Sequence, residues 1–361
     1  EIVRTWLYYT LLKSTLLLDK PGFANVWIDG LGMDPWGRKM SKSLGNGIDA
    51  NSVLECGSGG RTGSWKIKGT DGKQIHLKAN KIGSECFRLW KACDAQVGDD
   101  FHINPEEIEA KYFGVLTKLF NVARFASQFD NPEDLDTVPA DLSIEDRWIL
   151  AEFASTMEKV EKGWTELDIY TATQALKTFG TGVLPSHWLE MSKSRLYDGD
   201  TNAAWTIHRI VRDLMAALSP VCPFFTHHIS DTLYGESAVD VRVFPKRTPE
   251  DENLRALTNA IEEFNGATWR TKKESGLSLN TPISGIKIPE ELSVVGFGDK
   301  TISEYSSPKL TTIYQHGSEI GNRSVELLVD RMNSKWFGLE KNINSFSTEI
   351  IPTITLGGGS K

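Results

Sequence analysis

From Asn104 to Leu218 apolar residues recur every three or four positions, and that periodicity constrains the fold more than any other feature of the chain. Asn104-Pro105-Glu106-Glu107 offers an N-cap, a proline at the first helical position and two acids facing the helix dipole. Ile108, Tyr112, Val115, Leu116, Leu119, Val122 and Ala126 then form one stripe. A second helix is expected to begin near Ser143, with Asp146 three residues on as a weak capping box, and carries Ile149, Phe153, Met157, Val160 and Trp164. A third should span about 168–180. A fourth carries Ala204, Ile207, Val211, Leu214, Met215 and Leu218 before Pro220 and Pro223 stop it. Each stripe must be covered by another, which makes a helical bundle.

Upstream the texture is different. Val3, Trp6, Leu7, Thr10, Leu11 and Ser14 predict a helix over 1–18, ended by Pro21-Gly22. Val26-Trp27-Ile28 reads as a short buried strand, followed by turns at Asp29-Gly30 and Asp34-Pro35. Glycines at 57, 59, 60, 63, 69 and 72, with the alternating pairs Trp65/Ile67 and Ile75/Leu77, predict a β-hairpin turning at Asp71-Gly72. Beyond Pro245 a charged linker leads to a helix carrying Leu257, Ile261, Phe264 and Trp269. A buried strand is expected at 292–297, a last helix at 316–332, and a flexible end from Gly357 to Lys361. The fold class is therefore an α/β start, a mainly α-helical bundle and a small α/β tail.

At 361 residues, 40% hydrophobic and 24% charged, the chain is a globular protein of two or three domains. The longest apolar run, Leu7 to Leu18, is broken by Lys13, so a membrane partner is not expected. Four scattered cysteines make no disulfide framework and fit a reducing cytoplasmic setting. The chain opens with Glu1, so further sequence is expected upstream. A net charge of -8 argues against generic polyanion binding, yet residues 61–91 carry a net +6 and residues 92–170 a net -12. Any nucleic-acid contact must be local, with Lys66, Lys68, Lys73 and Arg88 as its candidates.

The string richest in chemistry is Gly37-Arg38-Lys39-Met40-Ser41-Lys42-Ser43-Leu44-Gly45-Asn46. Lysines among small hydroxyl residues, between two glycines that let the backbone approach, can aim ammonium groups and backbone donors at a polyphosphate. The plain alternative is a solvated Lys/Ser turn. Met191-Ser192-Lys193-Ser194 repeats part of the string among helical residues and reads as chance similarity. His227-His228 point about 100° apart on a helix, which suits surface histidines better than a shared metal. Cys86 and Cys93 read as buried thiols, so no metal site is expected.

Lys39-Met40-Ser41-Lys42-Ser43 resembles the second signature loop of the class I aminoacyl-tRNA synthetases, and the helices after it resemble their anticodon-binding domain. Within that class, Glu1-Ile2-Val3-Arg4-Thr5-Trp6, Asn121-Val122-Ala123-Arg124-Phe125 and Ser219-Pro220-Val221-Cys222-Pro223-Phe224 are similar to the valyl group; the likeness covers about 1–289. It implies ATP with Mg2+, L-valine and the tRNA for valine as substrates. The amino-acid carboxylate attacks the α-phosphorus of ATP, pyrophosphate leaves, and the acyl group passes to the tRNA. Lys39 and Lys42 would be catalytic, neutralising charge on the departing pyrophosphate. Met40, Ser41, Ser43 and Gly30 would join them in binding ATP, and Trp6 would line the amino-acid pocket.

The resemblance assigns 1–50 to the end of the nucleotide-binding domain, 51–140 to a stem-contact region, 141–247 to the anticodon-binding helices and 248–289 to a linker and helix. The first class signature, of His-Ile-Gly-His type, is not in the sequence, so activity is expected only with a missing N-terminal half. Residues 290–355, with Leu292-Ser293-Val294-Val295-Gly296-Phe297 and Ser307-Pro308-Lys309-Leu310-Thr311-Thr312-Ile313, instead resemble the C-terminal end of lactose-repressor-like effector domains. There Gly298-Asp299 replaces a usual acidic pair, and 290–361 reads as a foreign tail of a composite chain. Two rival functions follow: a ligand-binding module of a sugar-responsive transcription regulator, and a helical protein-interaction scaffold.

Overall fold

A computed structural model describes residues 2–56, 62–238 and 252–278 and three short strands beyond them. Two compact units divide the chain, Glu1–Gly114 and Val115–Lys361. Arg61, the linker after Pro245, the 289–292 junction, the helix expected at 316–332 and the Gly357–Lys361 end lie outside the described residues.

The first unit begins with a π-helical turn, Val3–Leu7, that runs into α1 (Tyr8–Leu18) and ends where Asp19 turns left-handed. The expected helix forms, but of its apolar residues only Leu7 is buried, and Leu16 and Leu17 are 75% and 80% exposed. Then follow β1 (Gly32–Met33), α2 (Ala50–Glu55), β2 (Gly63–Lys68), β3 (Gln74–Ala79), α3 (Gly83–Asp94), β4 (Phe101–His102) and α4 (Pro105–Ile108). The expectation of a strand at Val26-Trp27-Ile28 is corrected: the segment forms no ladder. A strand needs a hydrogen-bonded neighbour, and the segment finds one only at its end, where Asp29 bridges to Val97; the sheet forms instead where β4 returns parallel to β1.

The hairpin forms as expected. β2 and β3 pair antiparallel over six residues each, with Gly63 opposite Ala79 and Lys68 opposite Gln74. Gly69 donates to the Lys73 carbonyl at 2.8 Å, and Asp71 accepts from the Lys73 amide at 3.0 Å, closing the turn. Alternation sends Trp65, Ile67, Leu77 and Ala79 inward and leaves Lys66, Lys68, His76 and Lys78 outside. Cys86, Leu89, Trp90 and Cys93 are the buried face of α3; each large apolar side chain covered this way contributes about 2 kcal/mol.

The Asn104 cap is present, accepting from the Glu106 amide at 3.1 Å. A π-helical turn, Glu109–Phe113, carries the helix from α4 into α5 (Gly114–Ala126). The second unit continues with α6 (Ile144–Glu166), α7 (Ile169–Thr178), α8 (Leu189–Tyr197), α9 (Thr201–Leu218), α10 (Pro223–Tyr234) and α11 (Thr258–Glu274). The helix expected over 168–180 does not stop there. It widens into a π-helical stretch, Phe179–Trp188, that accommodates Pro185, and then becomes α8. Helix α9 is the centre of the bundle, packed against α6, α7, α8 and α10, and nearly every residue on it is buried.

Two ion pairs on buried aspartates brace this unit. Asp146 caps α6 with Ser143 and also binds Arg195 of α8 at 2.6 Å and the Trp188 indole at 3.1 Å. On α9, Arg209 binds Asp213 at 2.5 Å and the Leu135 carbonyl at 2.7 Å. In the tail, β5 (Val295–Phe297) pairs parallel with β6 (Thr311–Ile313), which pairs antiparallel with β7 (Ile354–Thr355).

Candidate phosphate loop and basic hairpin

Asp34-Pro35-Trp36-Gly37 makes a tight turn in which Gly37 donates to the Asp34 carbonyl at 2.9 Å. The turn points the Asp34 carboxylate back into the segment that follows, where it is fully buried. It accepts from the amides of Trp36 and Arg38 at 3.1 and 2.8 Å, from Arg38 Nε at 2.7 Å and from Asn46 Nδ2 at 2.9 Å. Burial pushes its pKa up, but the bonds from Asn46 and Arg38 outweigh that and hold it below the usual carboxylate range.

Arg38 and Asn46 flank the lysine string, so one carboxylate pins both ends of it. Asn46 also accepts from the Ser41 amide at 2.9 Å and donates to the Lys39 carbonyl at 3.2 Å. Ser41 Oγ accepts from the Leu44 amide at 3.2 Å and meets Ser43 Oγ at 3.1 Å. Gly45 takes φ +65°, a conformation in which a side chain is strained. Between these ties Lys39 and Lys42 are exposed. A loop with its frame fixed and its cations outside can receive a polyanion without first being ordered.

The loop is bound to the hairpin as well. Arg38 reaches the Gly69 carbonyl at 3.1 Å and the Lys68 carbonyl, and the Lys68 amide donates to the Gly45 carbonyl at 3.2 Å. Of the cations expected to meet RNA, Lys66 and Lys68 share the outer face of β2, Lys73 lies at the turn 3.7 Å from Asp71, and Arg88 is exposed on α3. Lys91, part of the same basic stretch, is neutralised by Asp29 at 2.9 Å and lies over the Phe101 ring.

Two expected site residues stand apart from the loop. Trp6 is 58% exposed and stacks on Phe23 at 6.0 Å. At Gly30 an added Cβ would stand 1.9 Å from the Asp99 carbonyl oxygen, so backbone packing alone already requires glycine there. Asp34 was not among the candidates read from the sequence, nor were Arg38 and Asn46 given roles; the signal was an Asp-Pro-x-Gly turn with arginine four residues after the aspartate.

Met191-Ser192-Lys193-Ser194 lies within α8, with Ser192 buried and Lys193 bound to Glu190 at 2.5 Å. His227 and His228 are exposed on α10, and Cys56, Cys86, Cys93 and Cys222 are buried free thiols. Burial pushes the Cys86 thiol up to about 12. Among the described residues no group of three or more His, Cys, Asp or Glu could hold a metal ion, and no helix is long and apolar enough to cross a membrane. The helical unit has an open cavity of about 600 Å³ lined by Phe129, Tyr197 and Trp205 and by Asn131, Asn202, Asp130 and Asp200.

Residues 1–104 match the family described as tRNA synthetases class I (I, L, M and V), and residues 146–288 the anticodon-binding domain of tRNA ligase. Residues 283–353 match a periplasmic binding protein-like domain, in line with the separate resemblance of the tail. The valine–tRNA ligase of Aeropyrum pernix is 33% identical over 80% of the chain and 33% of its own length; that of Saccharolobus solfataricus is 31% identical over 79% and 31%. The chain thus spans about a third of these relatives. A LeuRS of Agrobacterium radiobacter K84, solved as a ternary complex with tRNA and LeuAMS, superposes with TM-score 0.51 at 17% identity, covering 70% of the chain and 28% of that protein.

Proposed function

The chain belongs to the class I tRNA synthetases, about 1–289 corresponding to the C-terminal part of a valyl-type ligase, and from that premise we propose that it serves the charging of valine tRNA. The observation that carries this reading is the clamp of Asp34 on Arg38 and Asn46, which fixes the frame of the loop and leaves Lys39 and Lys42 outside it. In this role the two lysines meet the phosphates of ATP, whose Mg2+ arrives with the nucleotide. Met40, Ser41 and Ser43 shape the loop around them, with Gly30 nearby in sequence and Trp6 as a wall for valine. The nucleotide site is completed by an N-terminal half, and the setting is cytoplasmic.

Lys66, Lys73 and Arg88 supply positive charge for an RNA backbone in the first unit. In the helical unit the aromatic and amide lining of the cavity at Phe129, Tyr197, Asn131 and Asn202 suits unpaired bases, which stack on rings and bond to amides. The experiment is titration of the whole chain with tRNAs for valine, isoleucine and leucine at two salt concentrations. Tightest binding of the valine tRNA, weakening with salt, supports the reading. Equal binding of all three would remove the assignment to valine, and sugar binding with no tRNA dependence would favour the regulator module.

A further inference from the structure

Lys68 differs from the other hairpin lysines. Its amide is tied to the Gly45 carbonyl at 3.2 Å, its own carbonyl is held by Arg38, and its Cγ and Cδ lie about 4.0 and 3.8 Å from where a Cβ on Gly45 would be. The stem of this side chain therefore runs along the C-terminal end of the lysine loop. Lys66 is two residues back on the same face, opposite His76, and shows no such tie. Lys68 is exposed, and its ammonium engages no carboxylate among the described residues.

We infer that Lys68 is a third cation of the polyphosphate site, delivered to the loop by the hairpin. The assignment rests on the reading of the loop as a phosphate binder. Three features support it. The strand end is fixed to the loop on both sides of Lys68, by its amide on the Gly45 carbonyl and by the Arg38 guanidinium on the Lys68 and Gly69 carbonyls. Arg38 is in turn fixed by Asp34, so the clamp that frames Lys39 and Lys42 also sets the position of Lys68. The Lys68 stem lies within van der Waals reach of Gly45, whose φ of +65° sets that end of the loop. A lysine on a flexible tip would lose more side-chain entropy on meeting the same anion. The ligand chemistry is a chain of two or three linked phosphates, as on a nucleoside triphosphate or in free pyrophosphate. Lys68 acts by charge and takes no part in bond making.

The test uses the whole chain and inorganic tripolyphosphate at low salt, with calorimetry on Lys42→Ala, Lys68→Ala, Lys68→Arg and Lys66→Ala. Lys68→Ala should weaken binding about three- to five-fold and reduce its salt dependence, Lys68→Arg should restore it, and Lys66→Ala should leave it near wild type. Unchanged thermal melting of each variant separates this from a folding effect. Loss of binding with Lys42→Ala but not with Lys68→Ala would overturn the inference and leave the loop reading standing. No loss with either would overturn both. Equal losses with Lys66→Ala and Lys68→Ala would reduce Lys68 to part of a diffuse field and overturn the inference too. Repeating the titration with ATP and with pyrophosphate distinguishes a nucleotide site from a site for the free anion.

Discussion

The tetrapeptide Met-Ser-Lys-Ser occurs twice in this chain, once in a loop and once in a helix. Met40 to Ser43 lies in a loop framed by Asp34, Arg38 and Asn46, with Lys42 exposed and Ser41 bonded within the loop. Met191 to Ser194 is a turn of α8, with Ser192 buried, Lys193 paired to Glu190 and the neighbouring Arg195 anchored in the bundle by Asp146. Each copy lies beside a buried carboxylate that binds an arginine. In the loop the carboxylate fixes a frame and leaves both lysines exposed. In the helix it joins α6 to α8, and the lysine is incidental. What sets the loop copy apart is the Asp-Pro-x-Gly turn before the motif and the Gly-Asn after it.

The contrast breaks most visibly at the two carboxylates. Asp34→Ala and Asp146→Ala should each cost about 2 kcal/mol in their own unit, since each takes a buried carboxylate from a half-buried arginine and from a second donor, Asn46 or Trp188, and this is read by thermal melting. Only Asp34→Ala should also abolish polyphosphate binding. Acid separates the units in another way. Bonding lowers the Asp34 pKa, so its contribution is complete above the unfolded value of 3.8 and is lost only as pH falls through the still lower folded value. In the helical unit burial lowers the pKa of His208 against the opposing bond to the Phe129 carbonyl. Its neutral form is favoured by folding, so that contribution is complete above 6.5 and is lost as pH falls below it. The helical unit should therefore begin to weaken in mild acid, by circular dichroism at helical wavelengths; His208→Gln should shrink that step, the remainder coming from His187, whose pKa burial also lowers. Gly45→Ala, at φ +65°, should destabilise the loop by about 1 kcal/mol. Lys193→Ala should do least, within about 0.5 kcal/mol and with no change in phosphate binding.

Much of the fold was legible because helix starts and tight turns are local. Asn104 and Ser143 cap the helices they were expected to cap, and the hairpin turns at Asp71-Gly72. What escaped depends on partners. The stripe of α1 predicts a helix, but the exposure of Leu16 and Leu17 depends on what lies beside it, which no local pattern states. Val26-Trp27-Ile28 has strand composition without a strand neighbour. The continuation through Pro185 reflects packing that overrides a local break signal. At the site, the lysines are visible in the sequence as a motif, whereas Asp34 is revealed only when its turn closes and brings together residues four and twelve positions away.

The central claim is that context makes the first Met-Ser-Lys-Ser a phosphate loop and the second a piece of helix. The most direct measurement is phosphorus NMR of ATP with magnesium, recorded with the whole chain and with Lys42→Ala and Lys193→Ala. The account predicts that the chain and Lys193→Ala shift the β- and γ-phosphate resonances alike, and that Lys42→Ala abolishes the shift. A shift that survives Lys42→Ala, or is lost equally with Lys193→Ala, would contradict it.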